Sequence, residues 1–128
     1  MDLQILYEDN HVLAINKPAG ILVQGDYSGE HTILDVIKSY LKEKYHKPGN
    51  VFVGIVHRLD RQVSGVLVLA RTTKAASRLS AQFREKSVRK IYCALVEYQN
   101  RLEESDIGEW ITLRHYLRRE RDISRAEA

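Results

Sequence analysis

The sequence predicts an α+β fold, a mixed, mostly antiparallel sheet with two helices packed on it. Three patterns carry that expectation. Two β-branched apolar runs, Val51–Val56 and Val66–Ala70, read as buried strands on either side of a short polar loop. Two shorter runs near the N-terminus, Leu3–Asp9 and His11–Asn16, read as a further strand pair. Two stretches of helical periodicity, His31–His46 and Lys74–Lys86, supply the packing layer.

In chain order, Glu8-Asp9-Asn10 is the turn signal between the first two strands, because Asp and Asn side chains bond nearby backbone amides. Asn16-Lys17-Pro18-Ala19-Gly20 ends the second strand in a loop, and the apolar Ile21-Leu22-Val23 follows. Thr32 is the expected N-cap of the first helix, with Asp35 three residues on. Ile33, Leu34, Ile37, Tyr40 and Leu41 share one face of that helix, which makes Tyr40 part of a core stripe rather than a base-stacking platform. Lys47-Pro48-Gly49-Asn50 stops it. Thr72 or Thr73 caps the second helix, where Ala76, Leu79 and Phe83 fall at helical spacing. Arg89–Glu97 then reads as a strand with Cys93 in the core, and Ile107–Leu113 as one more candidate strand. The arginine-rich remainder is polar and ambiguous. With no internal repeat, low-complexity tract or linker, residues 1–128 are expected to form a single domain.

Composition narrows the function classes. The 128 residues are 44% hydrophobic and 29% charged, the profile of an ordinary soluble globular domain. No apolar run approaches the roughly eighteen residues that suggest a membrane span. The acidic MDLQILYEDN start lacks the basic region of a signal peptide. Cys93 is alone, which rules out an intrachain disulfide and fits a reducing, cytoplasmic setting. The five histidines are scattered and show no metal-ligand spacing with Cys93, and there is no GxGxxG or P-loop, so neither metal nor organic cofactor is expected. A net charge of +3 is compatible with a nucleic-acid partner without arguing for one. Its distribution says more: Arg84–Lys90 holds four basic residues against one acid, and Arg114–Arg125 five arginines against two acids. Each run is otherwise a solvated helix end or turn.

The densest polar signal lies between the two apolar runs. His57-Arg58-Leu59-Asp60-Arg61-Gln62, closed by Ser64-Gly65, presents one carboxylate with an arginine two residues before it and another directly after. Charged groups at the ends of core strands cost desolvation, which a fold accepts most readily at a site. On spacing alone two readings stand. Asp60 pairs locally with Arg58 or Arg61 in a polar turn, or it is a positioned, working carboxylate.

These residues resemble the HRLDRxTSG signature of the RluA-type pseudouridine synthases, with Val63 where the signature has Thr. Upstream, Asn16–Gly20 resembles the family's NKPxG element, and downstream Lys90–Glu97 resembles KxYxALVxG, with Tyr98 in place of its glycine. The resemblance implies that Asp60 is the catalytic residue and that Arg58 helps displace the target base. It implies too that Tyr92 packs on the uracil and that Lys90 lies beside the bound substrate. Arg61, Arg84 and Arg89 are the expected RNA-binding contacts, of the salt-sensitive kind that phosphate contacts are. Pseudouridine formation breaks the N1–C1′ bond of uridine, rotates the base and rejoins it through C5. A carboxylate suits that task as a nucleophile toward C1′ or C6, or as a base on the ribose. Nearby arginines would favour its ionised form. The uridine must leave its stack, Arg58 can fill the gap, and Tyr92 offers the extruded ring a flat face. The implied partner is RNA, ribosomal or transfer, and the protein is expected to act as a monomer.

The resemblance runs from Leu3 to about Val96, the N-terminal part of the family's catalytic domain. A later TGRxHQIR-type motif, which in the family supplies an arginine to the aspartate, does not occur, and the neighbours of Arg114-His115 do not match it. The expectation is therefore an incomplete catalytic domain, inactive as the isolated chain. Two rival readings are a non-catalytic RNA-binding remnant and an inactive fragment that aggregates through unpaired sheet edges. A kinase-like reading of His57–Asp60 fails, because the chain lacks a glycine-rich loop and a DFG element.

Overall fold

Asp9 closes the first hairpin as its residue type predicts. Its carboxylate accepts the amides of His11 at 2.7 Å and Val12 at 2.6 Å, between strands β1 (Ile5–Glu8) and β2 (Val12–Lys17). The structure, a computed structural model, describes residues 3–25, 29–95, 110, 116–120 and 123–127. They divide into two units, Met1–Lys90 and Ile91–Ala128.

In the first unit, β2 is followed by helix α1 (Ile33–Lys44), the short strand β3 (Gly54–Ile55), strand β4 (Gly65–Ala70) and helix α2 (Thr73–Arg84). The four strands form one sheet in the order β1-β2-β4-β3, and every pairing in it is antiparallel. Leu13 pairs with Leu69, Ile15 with Leu67 and Lys17 with Gly65. Side chains alternate across a sheet, so Leu13, Ile15, Leu67 and Leu69 line one face, and all four are fully buried. Onto that face α1 lays Ile33, Ile37 and Leu41, and Val23 and Val51 complete the cluster. Burying each such side chain is worth roughly 1.5–3 kcal/mol.

The predicted capping box forms in full. The Asp35 amide donates to the Thr32 hydroxyl at 3.3 Å, and the Thr32 amide donates to the Asp35 carboxylate at 3.0 Å. Thr72, rather than Thr73, caps α2 by accepting from the Ala75 amide. None of α2 is fully buried. It approaches the sheet through Ala76, against Gly54 and Ala70, on the face opposite Leu69. A Cβ at Gly54 would lie 2.9 Å from that of Ala76, so glycine is what lets helix and strand meet there.

Several expectations change. Of the Val51–Val56 run only Gly54–Ile55 pairs as strand, at the sheet edge rather than its interior. β4 lies where expected, but Val66 is 57% exposed. The described part of Arg89–Glu97, residues 89–95, forms no strand, and Cys93 is exposed rather than in a core. A strand exists only where a second backbone edge pairs with it, and side-chain alternation cannot supply that edge. Of Ile107–Leu113 only Trp110 is among the described residues, and it is in no strand. In the second unit, strands β5 (Tyr116–Glu120) and β6 (Ile123–Glu127) form an antiparallel hairpin in the arginine-rich stretch. The stretch is mostly polar in sequence, so the apolar alternation by which strands are recognised does not mark it.

Candidate active site

Lys17 follows Leu13 and Ile15 at period two, so its side chain enters the core face with theirs. It is fully buried. A buried ammonium must find acceptors. Lys17 Nζ donates to the carbonyls of Pro18 at 2.8 Å, Ile21 at 3.0 Å and Arg61 at 3.3 Å. One cation thus curls the Asn16–Gly20 loop around itself and ties it to the residue after Asp60. The backbone doubles the tie. The Gly20 amide donates to the Arg61 carbonyl at 2.8 Å, and Arg61 Nε donates to the Gly20 carbonyl at 3.1 Å. Gly20 does this at φ +89°, a conformation that side chains with a Cβ avoid. The Arg61 guanidinium ends on Glu30, 2.9 Å away. The Val63 amide donates to the Asp60 carbonyl at 3.0 Å, turning the chain toward β4.

The start of the loop is held differently. His57 Nε2 accepts the backbone amide of Val68 at 2.9 Å, and its ring stacks on Phe83 of α2 with centroids 4.6 Å apart. Burial, and next the Lys90 ammonium, push the His57 pKa below the ordinary value. Burial likewise lowers the pKa of Lys17, while the Asp60 carboxylate pulls it back up. Asp60 therefore lies within electrostatic reach of a buried ammonium.

Asp60 itself is exposed. Among the described residues neither Arg58 nor Arg61 forms an ion pair with it; the pairing of Arg61 is with Glu30. The polar-turn reading, in which Asp60 is one half of a local pair, is not what the loop does. A carboxylate held by its backbone and open to solvent can approach an electrophile or a proton.

Arg58 is exposed beside Asp60, Arg84 is exposed in the last turn of α2, and Arg89 and Lys90 are exposed after it. Tyr92, 62% exposed, belongs to the second unit. Lys17 and His57 are the residues that sequence reasoning passed over as working parts. The strand period marks Lys17 as inward-facing, whereas nothing local in the sequence shows that β3 ends early enough for His57 to replace it. A shallow depression lined by Lys38, Lys42, Asn50 and Val51 shares no residue with the Asp60 loop. Among the described residues no helix is long and apolar enough to cross a membrane.

Comparison with known proteins places the chain. The family model described as RNA pseudouridylate synthase matches residues 11–127. Ribosomal large subunit pseudouridine synthase C of Buchnera aphidicola subsp. Acyrthosiphon pisum is 46% identical over 93 residues, covering 73% of this chain and 28% of that protein. Its namesake in Buchnera aphidicola subsp. Schizaphis graminum is 41% identical over 119 residues, covering 93% and 36%. Ribosomal large subunit pseudouridine synthase D of Pseudomonas aeruginosa is 39% identical, covering 75% and 29%. Among solved structures, human RNA pseudouridylate synthase domain containing 4 aligns with a TM-score of 0.56 and 31% identity, over 66% of this chain and 30% of that one. The chain thus spans about a third of the length of the curated relatives it matches.

Proposed function

The chain belongs to the RNA pseudouridylate synthase family, and from that premise we propose that it isomerises a uridine of large-subunit ribosomal RNA to pseudouridine, with Asp60 as the catalytic carboxylate. The supporting observation is the Asp60 loop. It is anchored by the His57 ring at one end and the Arg61 carbonyl at the other, and the carboxylate is exposed and without an ion-pair partner among the described residues. The ribosomal assignment draws on the names of the relatives, which specify the large subunit.

In this reading Arg58 takes the place of the extruded base, Tyr92 faces the uracil ring, and Lys90 stands beside the substrate. Arg84, Arg89 and the exposed part of Arg61 meet phosphates, and Arg61 does so while its Nε stays on Gly20. The buried Lys17 ammonium lies within electrostatic reach of Asp60 and holds the far side of its loop at the Arg61 carbonyl. The 128 residues form a portion of one catalytic domain, acting on RNA in the cytoplasm. Tested alone they are expected to be inactive, because the arginine that the family's TGRxHQIR-type motif brings to the aspartate is not among them.

Two experiments bear on this. Deleting the gene and mapping pseudouridines in total RNA should remove a modification from large-subunit ribosomal RNA. A loss confined to transfer RNA would overturn the substrate, and no loss anywhere would overturn the activity. Incubating the purified 128 residues with RNA from the deletion strain should restore nothing. A restored site that vanishes with Asp60→Asn would show that these residues suffice.

A further inference from the structure

We propose that His57 is a positioning residue for Asp60, fixing the start of its loop to β4 through a hydrogen bond that only the neutral imidazole can make. This role presupposes Asp60 as the working carboxylate of the proposed reaction.

The geometry begins with the early end of β3. That strand pairs with Ala70 and Leu69 of β4 and stops. The next β4 residue, Val68, still directs its amide toward the side that β3 has left, and the His57 ring takes over as acceptor at 2.9 Å. A side chain therefore replaces one rung of the ladder, which frees the backbone of Arg58, Leu59 and Asp60 to leave the sheet. The far side of the loop is fastened at the Arg61 carbonyl by the Gly20 amide and the Lys17 ammonium. Asp60 hangs between these two anchors, and His57 is the one that can titrate near neutrality.

Accepting from an amide requires a lone pair on Nε2, so the ring proton sits on Nδ1. An imidazolium has donors on both nitrogens and would face the Val68 N–H with another N–H. The surroundings favour the neutral ring. From α2 comes the apolar Phe83 ring, from the segment after α2 the Lys90 ammonium, and from β4 the Val68 amide alone. On its own loop the charged neighbours are Arg58 and Asp60, one and three residues on. Folded His57 thus binds its proton more weakly than the unfolded chain does. The anchor is intact above the ordinary value of 6.5 and is lost as pH falls through the lower folded value.

The test is a pH titration of the isotope-labelled 128-residue chain by two-dimensional NMR, with His57→Gln and His57→Ala alongside. Gln places an amide oxygen near the Nε2 position and does not titrate. In the wild-type chain, His57 should show the Nδ1–H tautomer at neutral pH. The amides of Val68 and of Arg58–Asp60 should move together with the imidazole, at a midpoint below 6.5. In His57→Gln these amides should keep their neutral positions and no longer titrate, whereas His57→Ala should displace them at all pH values. A Val68 amide indifferent to His57 ionisation would overturn the anchor. A loop that stays still while Val68 moves would overturn the positioning role, and so would a Gln variant displaced as far as the Ala variant. If His57→Ala does not fold, the wild-type titration still decides. No readout here depends on pseudouridine formation, so a gene deletion that removes no pseudouridine would refute the proposed function and leave this result standing.

Discussion

Glu8 and Asp60 stand at opposite ends of the β2–β4 strand pair, and the fold treats the two carboxylates in opposite ways. Glu8 is nearly enclosed, its side chain 8% exposed. It accepts from the hydroxyls of Tyr40 at 2.7 Å and Tyr45 at 2.6 Å, from Lys44 at 2.8 Å and from Arg71 at 3.2 Å. Burial alone would raise its pKa, but the hydrogen bonds, led by that from Lys44, outweigh it and hold the group at about 2. Those partners join the end of β1, the last turns of α1 and the residue after β4. Asp60 has no such cage among the described residues, and its restraint comes through the His57 ring on one side and the Arg61 carbonyl on the other. One carboxylate is spent on holding elements together, and the other is held so that it stays available.

That contrast ranks three substitutions by their effect on folding. Glu8→Ala should be the most damaging, about 3–5 kcal/mol in urea unfolding, because it leaves Arg71, itself 8% exposed, without its carboxylate. Its acid dependence has a definite sign. A folded pKa of about 2 against an ordinary 4.5 means the stabilisation is complete above 4.5 and fades as pH falls toward 2. Glu8→Gln should flatten that acid limb, and an unchanged limb would show that the cage does not stabilise the fold.

Lys17→Met should come next, at about 2–3 kcal/mol, since it keeps the volume but strips three carbonyls of a charged donor. Amide hydrogen exchange should rise at Gly20, whose own bond to Arg61 runs beside that of Lys17. Exchange that rises only at a distance from this loop would argue against Lys17 as its organiser.

How far these features were legible depends on whether their causes are local. Thr32 with Asp35, Asp9 before His11 and Val12, and Thr72 before α2 act within three residues; the first two can be read directly from the chain, whereas the sequence leaves the third open between Thr72 and Thr73. The motif around Asp60 was visible as residue types. Its restraints were not, because Gly20 and Arg61 lie 41 residues apart in sequence and meet only once β2 and β4 have paired. Lys17 is the intermediate case: strict alternation after Leu13 and Ile15 places it inward, although its residue type suggests a surface position. The strand expected at Arg89–Glu97 failed for the converse reason. Ile91 and Leu95 carry the side chains of a strand but are 73% and 103% exposed, with no strand pairing in residues 89–95.

Asp60→Asn should have the smallest effect on folding, within about 0.5 kcal/mol, since an exposed side chain with no ion-pair partner among the described residues has little to lose. It also provides the most direct measurement. The substitution is placed in the chromosomal gene, protein abundance is matched to wild type, and pseudouridines are mapped across ribosomal RNA. The expected result is loss of the same large-subunit modification that gene deletion removes, with the protein still folded and still bound to RNA. Retention of that modification at the wild-type level would contradict the assignment of Asp60 as the working carboxylate.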